Sequence, residues 1–572
     1  MDAAWRSFGS SSGRVRRFEW EFLFLVGLVA FVYGSRPTDL HLRGEETRRA
    51  EVAVEMLQTG DWIVPRQQGE IYISRPPLAN WCIAAAGYLR GGVDTVAARL
   101  PSIAAVLITT LMIYGLGRAE VGRFGAFTAA VAFATMVQVM QIGRTAETEA
   151  VFTAILSASL FVWFHGYRRG WSPWTLWGVG YTLAGLAALA KGPQGPPYFI
   201  GPAVLFLLYK RDWKTLFAPG HFAGVAVMLT VIGAWQIPYI VSAGPENALG
   251  VWMKLAKNNF GDENEASLTL HMLSYPFEVL ACMLPWSLGL IPLLSSKLRS
   301  SLGSRQDVVT FHALAMLVTF PTVWLAVHAV PRYFMPLYPS AALVIGVVAD
   351  RLLTAKPAGW VAAWPRLSWR ATGVFAAGTA VACVAIIAGA DSLLPPEAVV
   401  PGGVYVGLLV AASTLAAVVC FDAGRRLPRA CPPACLGLFL GAAFLAVALE
   451  VRVAKQADAA AAVAELDAAL PDGATLTSYG RLHHAFVYHH NRVRDSLVTL
   501  TADVGEEAQL ADAGRFLAWQ KDAPPPALPF PFRVVREVVI DREKPGRNND
   551  NVKVIVAERL PAVASASAVG QN

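Results

Sequence analysis

Long apolar segments recur along most of the chain and are separated by short polar turns. Fourteen of them are long enough, or nearly long enough, to cross a bilayer, for which a helix needs about 20 apolar residues. The pattern therefore predicts a polytopic α-helical membrane protein. The apolar segments lie at about 19–34, 78–90, 99–117, 124–142, 149–167, 173–190, 195–209, 220–242, 276–296, 308–328, 334–352, 371–391, 403–421 and 433–450.

Basic residues between the segments predict their orientation, because cytoplasmic loops are enriched in Lys and Arg. Arg14, Arg16 and Arg17 place the N-terminus in the cytoplasm. If the short segment 78–90 does not cross the membrane, all four basic loops face the cytoplasm. We therefore predict an interfacial helix at 78–90, thirteen spans and an external C-terminus. The basic loops contain Arg168-Arg169, Lys210-Arg211, Lys297/Arg299/Arg305 and Arg425/Arg426/Arg429.

This topology predicts a domain organisation. A helical pattern at 456–470 is followed by TLTSY, FRVVREVVI and VKVIVAERL, which are typical of strands and indicate a small α/β domain. Polar segments that could carry chemistry all face outwards. The predicted parts are a cytoplasmic N-terminus (1–18), a transmembrane domain (19–450) with its first external loop at 35–98, an external α/β domain (451–561) and a disordered tail (562–572).

Composition agrees with a membrane protein. Hydrophobic residues make up 55% of the 572 residues and charged residues only 16%, whereas soluble proteins carry about 25% charged residues. The net charge of +7 follows from the basic loops and requires no nucleic-acid partner. The six cysteines lie in or beside apolar segments, so we expect no disulfide framework.

Two acidic pairs lie on the predicted outer face. Glu45 and Glu46 begin a segment whose apolar positions fit a short helix, and Glu147 and Glu149 lie at the mouth of an apolar span. Carboxylates are favourable in the first turn of a helix, so each pair could serve only to stabilise a helix start. Ionisable groups at a membrane segment are also costly and commonly functional, which leaves a catalytic role open.

Three cationic turns share the outer face: Arg75 in RPP, Lys191 in KGPQGPP and Arg332 in VPRYFMP. Each alone could extend its charge to lipid headgroups. Three together indicate an anion site, because Arg and Lys bind phosphate. Carboxylates beside such a site predict group transfer from a lipid-linked phosphate, with one carboxylate accepting the proton of an acceptor hydroxyl and the cations stabilising the departing phosphate.

The order of several motifs between residues 20 and 350 resembles the GT-C glycosyltransferases that use polyprenyl-phosphate sugars. These include the aminoarabinose lipid A transferases and the protein O-mannosyltransferases. No single motif is decisive, but the ordered set is fairly specific. In chain order the motifs are EETRRAE (Glu45–Glu51), GDWIVPR (Gly60–Arg66), SRPPLANW (Ser74–Trp81), AARLPS (Ala97–Ser102), the acidic helix start at Glu149, KGP (191–193), LPW (284–286) and RYFMPLYP (332–339).

The resemblance implies a GT-C-like fold of about thirteen transmembrane helices, with interfacial helices in the first external loop. It also implies an inner-membrane enzyme that transfers a sugar from a polyprenyl-phosphate donor to an envelope lipid, glycan or protein hydroxyl. The implied catalytic acids are Glu45 as the base, Glu149, and Glu147 as the rival of Glu149. The expected contacts of the donor phosphate are Arg75, Lys191, Arg332 and Tyr333.

The first loop departs from the family pattern. Glu45 replaces an aspartate, Arg49 an aromatic residue, and Arg75 a Lys or His. Ser74 stands where the lipid A enzymes often carry a glutamate associated with a metal, so no metal or other cofactor is predicted. The histidines of HHAFVYHH (His483–His490) lack the i/i+4 spacing of ligands and are expected to be packed or solvated.

Two other functions stay open at this point. A transporter or flippase of lipid-linked sugar is disfavoured because the charges gather at one face and no internal repeat is visible. A catalytically inactive relative that acts as a binding protein is compatible with the departures at Glu45, Arg49 and Arg75. The expected partners in the enzymatic case are the donor, an envelope acceptor and membrane lipids.

Overall fold

Helices form most of the chain up to Ala454, and a five-stranded sheet follows them. The structure is a computed structural model. It describes residues 20–259, 265–326, 328–389, 403–422, 427–454, 456, 459–494, 499–502, 514–525, 528, 530–541 and 551–561. The predicted cytoplasmic N-terminus (1–18) and disordered tail (562–572) lie outside these residues.

Residues 20–243 form ten helices and a two-stranded hairpin. The helices are α1 (Trp20–Val29, continued by a π-helical turn at Ala30–Gly34), α2 (Glu45–Thr59), α3 (Leu78–Arg90), α4 (Thr95–Ala134), α5 (Val137–Ile142), α6 (Thr148–Arg168), α7 (Pro173–Lys191), α8 (Gly195–Lys210), α9 (Trp213–Leu216) and α10 (Pro219–Ala243). The hairpin pairs β1 (Arg66–Gln67) with β2 (Glu70–Ile71).

The second half continues with helices before the sheet begins. They are α11 (Pro245–Asn259), α12 (Glu265–Cys282), α13 (Ser296–Ser300), α14 (Gln306–Trp324), α15 (Tyr338–Thr354), α16 (Trp364–Ile387), α17 (Gly403–Phe421), α18 (Cys431–Ala443) and α19 (Leu449–Ala454). Longer 3₁₀ segments occur at Trp286–Leu294 and Pro331–Leu337, and a second π-helical turn at Phe444–Ala448.

Among the described residues, eight helices are long and apolar enough to cross a membrane, or nine if one bent pair counts as a span. One of the eight, α4, contains the predicted span 99–117 and the first part of the predicted span 124–142, which continues into α5. Three further predicted spans coincide with the shorter segment Trp20–Gly34 and with α7 and α8. Each predicted span is thus largely helical, while the number thirteen stays a prediction.

The two spans within α4 are separated at Gly122. A straight helix of 40 residues would be about 60 Å long, roughly twice the hydrocarbon thickness of a bilayer. Gly122 has φ 84° and ψ 165°, a conformation that glycine adopts readily because it has no Cβ. The chain therefore bends there and forms two helices, at the break that the polar residues between 117 and 124 predict.

The predicted span at 276–296 falls on a sharply bent pair of helical segments. Its two halves, Leu268–Cys282 and Trp286–Leu294, meet at an angle of 112°. Pro285 has no backbone N–H to continue a helix, and Pro292 falls inside the second half, which is a 3₁₀ helix. Hydropathy alone does not register this break, because the apolar residues continue across it.

The C-terminal region is a mixed sheet with helices on one face. The strands are β3 (Leu476–Tyr479), β4 (Thr499–Ala502), β5 (Phe516–Gln520), β6 (Phe532–Asp541) and β7 (Asn551–Arg559), and the helices are α20 (Ala459–Ala469) and α21 (His484–Arg494). The strand order is β4-β3-β5-β7-β6, with β3 parallel to both of its neighbours and the other pairs antiparallel. The predicted helix and three strands correspond to α20, β3, β6 and β7. The sequence analysis missed β4, β5 and α21.

Candidate active site

Helices α6 and α7 are neighbours that run in opposite directions, so the start of one lies beside the end of the other. Glu149 lies in the first turn of α6, and Lys191 is the last residue of α7. The Lys191 Nζ lies 3.2 Å from the Glu149 Oε1, and each side chain is only 4% exposed. Gly192, with φ +135°, ends the helix directly after the lysine.

The 3₁₀ segment Pro331–Leu337 packs on α6 and brings Arg332 and Tyr333 to the same place. The Arg332 Nη1 lies 2.8 Å from a carboxylate oxygen of Glu147, and its Nε lies 3.8 Å from Glu149. The Tyr333 ring centroid is 4.6 Å from the Lys191 Nζ, a cation–π distance. Two acids and two cations from distant segments thus form one cluster.

Glu45, the first residue of α2, is held by two arginines of its own helix. Arg48 donates to its Oε1 at 2.7 Å and Arg49 to its Oε2 at 3.1 Å. These spacings, i+3 and i+4, are those at which helical side chains meet. Arg49 also donates to the Tyr72 hydroxyl. Glu45 keeps 35% of its side chain exposed, so it is fixed in orientation and still accessible.

Arg75 interacts electrostatically both with Glu45 and with the Glu149–Lys191 pair. Its guanidinium acts electrostatically on Glu45 at one side and on Glu149 and Lys191 at the other. Its Nη1 donates to its neighbour's carbonyl, Ser74 O, at 3.0 Å. The structure therefore brings together all seven residues that the sequence analysis singled out. Their catalytic and binding roles stay predictions.

The surroundings of Glu45 and Glu147 shift the pKa values of these two carboxyl groups in opposite directions. Burial by itself raises the pKa of Glu45, but the guanidinium groups of Arg49 and Arg48, followed by Arg75 and Arg332, bring the pKa below its ordinary value. Glu147 precedes α6, and its pKa is raised instead of lowered. Its burial and the neighbouring Glu149 carboxylate raise its pKa, and Arg332 opposes this only in part. Glu45 is consequently ionised at neutral pH, whereas Glu147 tends to keep its proton.

Glu46, the other member of the first acidic pair, is a structural acid. The Arg99 guanidinium binds both of its oxygens, at 2.9 and 3.0 Å, and the Ala146 N–H donates to it at 2.9 Å. Glu46 and Arg99 are 3% and 4% exposed. This buried pair ties α2 to α4 and to the turn before α6, and it leaves Glu45 as the accessible carboxylate.

The sequence analysis did not assign Arg48 and Arg49 to the site, although their spacing from Glu45 is a signal that could have identified them. The histidines of α21 are packed, with His484, His489 and His490 at most 7% exposed. Among the residues that the structure describes, no three His, Cys, Asp or Glu side chains are grouped so that they could hold a metal ion.

Comparison with known proteins places the fold in a class. Residues 74–237 match the family of the dolichyl-phosphate-mannose-protein mannosyltransferases. The crystal structure of ArnT from Cupriavidus metallidurans bound to undecaprenyl phosphate has a similar fold, with a TM-score of 0.67 and 18% sequence identity. That superposition covers 94% of this chain and 98% of ArnT. The fold is therefore the GT-C fold, and the resemblance to the polyprenyl-phosphate-dependent glycosyltransferases is confirmed.

Several proteins are similar to this chain in sequence. The undecaprenyl phosphate-α-4-amino-4-deoxy-L-arabinose arabinosyl transferase of Pseudomonas aeruginosa is 28% identical over 309 residues, 53% of this chain and 54% of that protein. The Pseudomonas paraeruginosa enzyme is 27% identical over 410 residues, 70% and 71% of the two chains. An uncharacterised Aquifex aeolicus protein is 30% identical over 225 residues, 39% of this chain and 50% of that protein. The chain thus spans about half the length of the first and third of these relatives.

Proposed function

We propose that this protein transfers a sugar from a polyprenyl-phosphate donor to a hydroxyl group of an envelope acceptor. The acceptor oxygen forms a bond with the anomeric carbon of the sugar, and the bond between that carbon and the donor phosphate breaks. The polyprenyl phosphate leaves with the electron pair of the broken bond. The proton of the acceptor hydroxyl goes to a carboxylate of the site, so that atoms and charge balance.

Glu45 is the carboxylate best suited to accept that proton. It is ionised, and its two oxygens are oriented by Arg48 and Arg49. It is also the most exposed of the three acids, at 35% of its side chain, compared with 13% for Glu147 and 4% for Glu149. Because Glu149 is already paired with Lys191, we assign it the role of holding the cations in place.

The observation that carries this proposal is an excess of positive charge, on buried and partly buried side chains, with unused buried hydrogen-bond donors. Five cations surround three carboxylates, one of which tends to be neutral. Within the described part of the chain, the buried Nε atoms of Arg49, Arg75 and Arg332 have no hydrogen-bond partner. A buried donor without an acceptor costs about 1–3 kcal/mol. A bound phosphate monoanion or dianion would supply oxygens for these donors and offset the charge, which supports Arg75, Lys191, Arg332 and Tyr333 as the donor-phosphate site.

The distribution of basic loops supports a site on the outer face of the inner membrane, with the N-terminus in the cytoplasm and the C-terminal region outside. An isoprenoid donor embedded in the outer leaflet would then reach the cations from the lipid.

The arabinosyl transferases among the relatives favour a lipid acceptor, and the mannosyltransferase family favours a protein hydroxyl.

The test begins with mass spectrometry of envelope lipids, glycans and proteins from cells with and without the protein, which identifies the modified acceptor. The purified full-length protein in nanodiscs is then assayed with that acceptor and a polyprenyl-phosphate sugar. Glu45→Gln removes the base and is expected to lower kcat by about 10²–10⁴-fold. Glu45→Asp keeps a carboxylate and is expected to retain much more activity.

Three outcomes are informative. Full-rate transfer by Glu45→Gln would overturn the assignment of the base while leaving the reaction intact. A wild-type protein that forms no glycosidic bond, and instead moves donor across sealed vesicles, would overturn the reaction itself. Loss of activity in Glu45→Gln with recovery in Glu45→Asp, at equal amounts of folded protein, supports both.

A further inference from the structure

The helix that carries Glu45 is attached at both ends to the C-terminal region. At its beginning, the Thr47 hydroxyl lies 2.6 Å from the Nδ1 of His484, the first residue of α21. Thr47 is fully buried and His484 is 7% exposed. The two residues are 437 positions apart in sequence, so this contact exists only because the C-terminal region folds against the first loop.

The direction of this hydrogen bond follows from proton counting. The same Thr47 hydroxyl donates to the carbonyl oxygen of Gly44 at 2.9 Å. A hydroxyl has one proton, so both contacts are hydrogen bonds at the same time only in the tautomer in which the His484 Nδ1–H donates to Thr47. His484 thereby fixes the turn from Gly44 to Thr47, and Glu45 is the residue inside that turn that begins the helix.

A second attachment lies at the other end of α2. The Glu55 carboxylate accepts from the backbone N–H groups of Gln68 and Gly69, in the tight turn between β1 and β2. The Gln68 side chain, 2% exposed, donates to the Ser478 hydroxyl at 2.7 Å and accepts from the Leu482 N–H at 2.9 Å. Ser478 lies in β3, and Leu482 precedes α21. The turn therefore connects α2 to the sheet.

Packing completes the attachment. Tyr488 of α21 is fully buried in the same apolar cluster as Ala50, Ala53 and Met56 of α2, and its hydroxyl donates to the Val93 carbonyl at 2.9 Å. A helix that is bonded at both ends and packed along its length cannot slide or rotate without breaking these contacts. The position of Glu45 relative to the cations of α7 and of the 3₁₀ segment is thus determined in part by the C-terminal region.

We propose that His484 is a positioning residue for the base: through Thr47 it holds the first turn of α2 so that Glu45 faces the donor site. The C-terminal region is then a required part of the catalytic arrangement, whether or not it also selects the acceptor. This inference rests on the proposed function, because positioning can be measured only as a rate of transfer.

The test uses matched substitutions at two buried histidines of α21 in the full-length protein. His484→Leu removes the donor, whereas His484→Asn places an amide N–H near the position of Nδ1. His490 provides the control, because its Nδ1 lies 2.7 Å from Asp467 of α20, inside the C-terminal region. His490→Leu and His490→Asn test the effect of weakening that region without removing the bond to Thr47. Thr47→Val removes the hydroxyl from the other side with little change in shape.

A displacement of about 1 Å at a reacting group can cost about 10²-fold in rate, so we expect His484→Leu and Thr47→Val each to lower kcat by about 10- to 100-fold. The KM for the donor should change little, since the cations lie on other segments. His484→Asn should recover most of kcat. The double variant should be no slower than the slower single variant, because both substitutions remove the same bond. His490→Leu should lower the thermal midpoint without lowering kcat per folded molecule.

Unchanged kcat in both Thr47→Val and His484→Leu would overturn the inference, and so would equal losses in the His484 and His490 variants. These results differ from a failure of the proposed function, in which the wild-type protein itself would show no transfer. Recovery by His484→Asn, together with a decrease in kcat at constant KM in His484→Leu, would support the positioning role.

Discussion

Lys191 and Glu149 form a buried ion pair, with Nζ and Oε1 3.2 Å apart although 42 residues separate them in sequence. A pair so completely removed from water is strongly destabilised when one member is lost, because the other remains as an unpaired charge. The lysine also contacts the Tyr333 ring, and it interacts electrostatically with the like charge of Arg75. The pair therefore stabilises the structure, and in the proposed function it also presents a cation to the donor phosphate.

Lys191→Met should reduce both stability and transfer. We expect a loss of at most about 3–5 kcal/mol in the free energy of unfolding, because Glu149 then keeps only the more distant Arg332 Nε, 3.8 Å away, as an ion-pair partner. We also expect a loss of about 10²–10³-fold in kcat/KM from the missing stabilisation of the departing phosphate. Thermal unfolding in detergent and transfer assays corrected for folded protein measure the two effects.

The matched control for Lys191 is Lys210→Met. Lys210 also ends a helix and pairs with an acid, Asp307, at 3.0 Å, but its side chain is 35% exposed and the pair lies apart from the candidate site. An exposed pair contributes about 0–1 kcal/mol, so this variant should be nearly as stable and as active as the wild type. Equal losses in both variants would contradict the assigned role of Lys191.

Arg49→Met should change the pH dependence of transfer. Arg49 contributes to the low pKa of Glu45, so its removal should raise that pKa. A base works only when it is ionised; the acidic limb of the kcat/KM profile should therefore move to higher pH. Arg49→Lys keeps a positive charge and should show a smaller displacement. Arg48→Met should also show a smaller one, because Arg48 is 32% exposed and solvent screens its charge. A profile that is identical in all variants would remove Glu45 as the titrating base.

Glu147→Gln and Glu149→Gln should behave differently. The raised pKa of Glu147 means that it tends to carry a proton at neutral pH, which a glutamine amide imitates. We therefore expect little change in kcat at neutral pH for Glu147→Gln, and at most about a 10-fold change at alkaline pH, where the wild-type acid loses its proton. Glu149→Gln should lower transfer by about 10²-fold, because it releases Lys191 from its charged partner. The reverse order, measured over a range of pH, would make Glu147 the functional acid of this pair.

Glu51→Gln should make stability less dependent on pH. Glu51 is 1% exposed, and burial, followed by the nearby Glu55 carboxylate, raises its pKa well above the ordinary value of 4.5. The folded protein therefore binds a proton here that the unfolded chain releases above pH 4.5. The contribution of Glu51 to stability is greatest below that pH and decreases as the pH rises towards the folded-state pKa.

We expect the wild-type thermal midpoint to fall between about pH 5 and pH 8, and that of Glu51→Gln to fall less, by a difference equivalent to about 1–3 kcal/mol. Glu246→Gln removes the same charge at an exposed position of α11 and should follow the wild-type curve. If the slopes of all three proteins coincide, Glu51 is ionised in the folded state and the assignment of its proton is wrong.

Much of this protein could be predicted from local sequence. Runs of apolar residues indicate spans wherever they occur, and basic loops indicate orientation, because both depend only on the transfer of nearby side chains between lipid and water. The motif order also pointed to the fold that the comparison with ArnT confirmed. The bent pair at 268–294 escaped this reasoning, since a break in backbone geometry leaves hydropathy unchanged.

The candidate site, too, was predicted in part from the sequence and decided in part by the tertiary structure. The residue types at Glu45, Arg75, Glu149, Lys191 and Arg332 were sufficient to predict phosphate chemistry, because buried or interfacial charges are costly and seldom occur without a use. Their pairing was decided by the antiparallel packing of α6 and α7 and by the 3₁₀ segment. The tertiary structure also decided which acid is ionised, since pKa values depend on neighbours in space.

The attachment of α2 to the C-terminal region required the tertiary structure altogether. Nothing in HHAFVYHH indicates that its second histidine donates a hydrogen bond to a threonine at the start of a helix 437 residues earlier. A hydrogen bond between distant segments depends on how whole elements pack, and local pattern carries no information on that packing. The sequence by itself determined a membrane protein, and it predicted that a set of carboxylates and cations faces outwards. The tertiary structure decided which of them meet, and it connected the helix that carries Glu45 to His484, a histidine that the sequence analysis had expected to be packed or solvated.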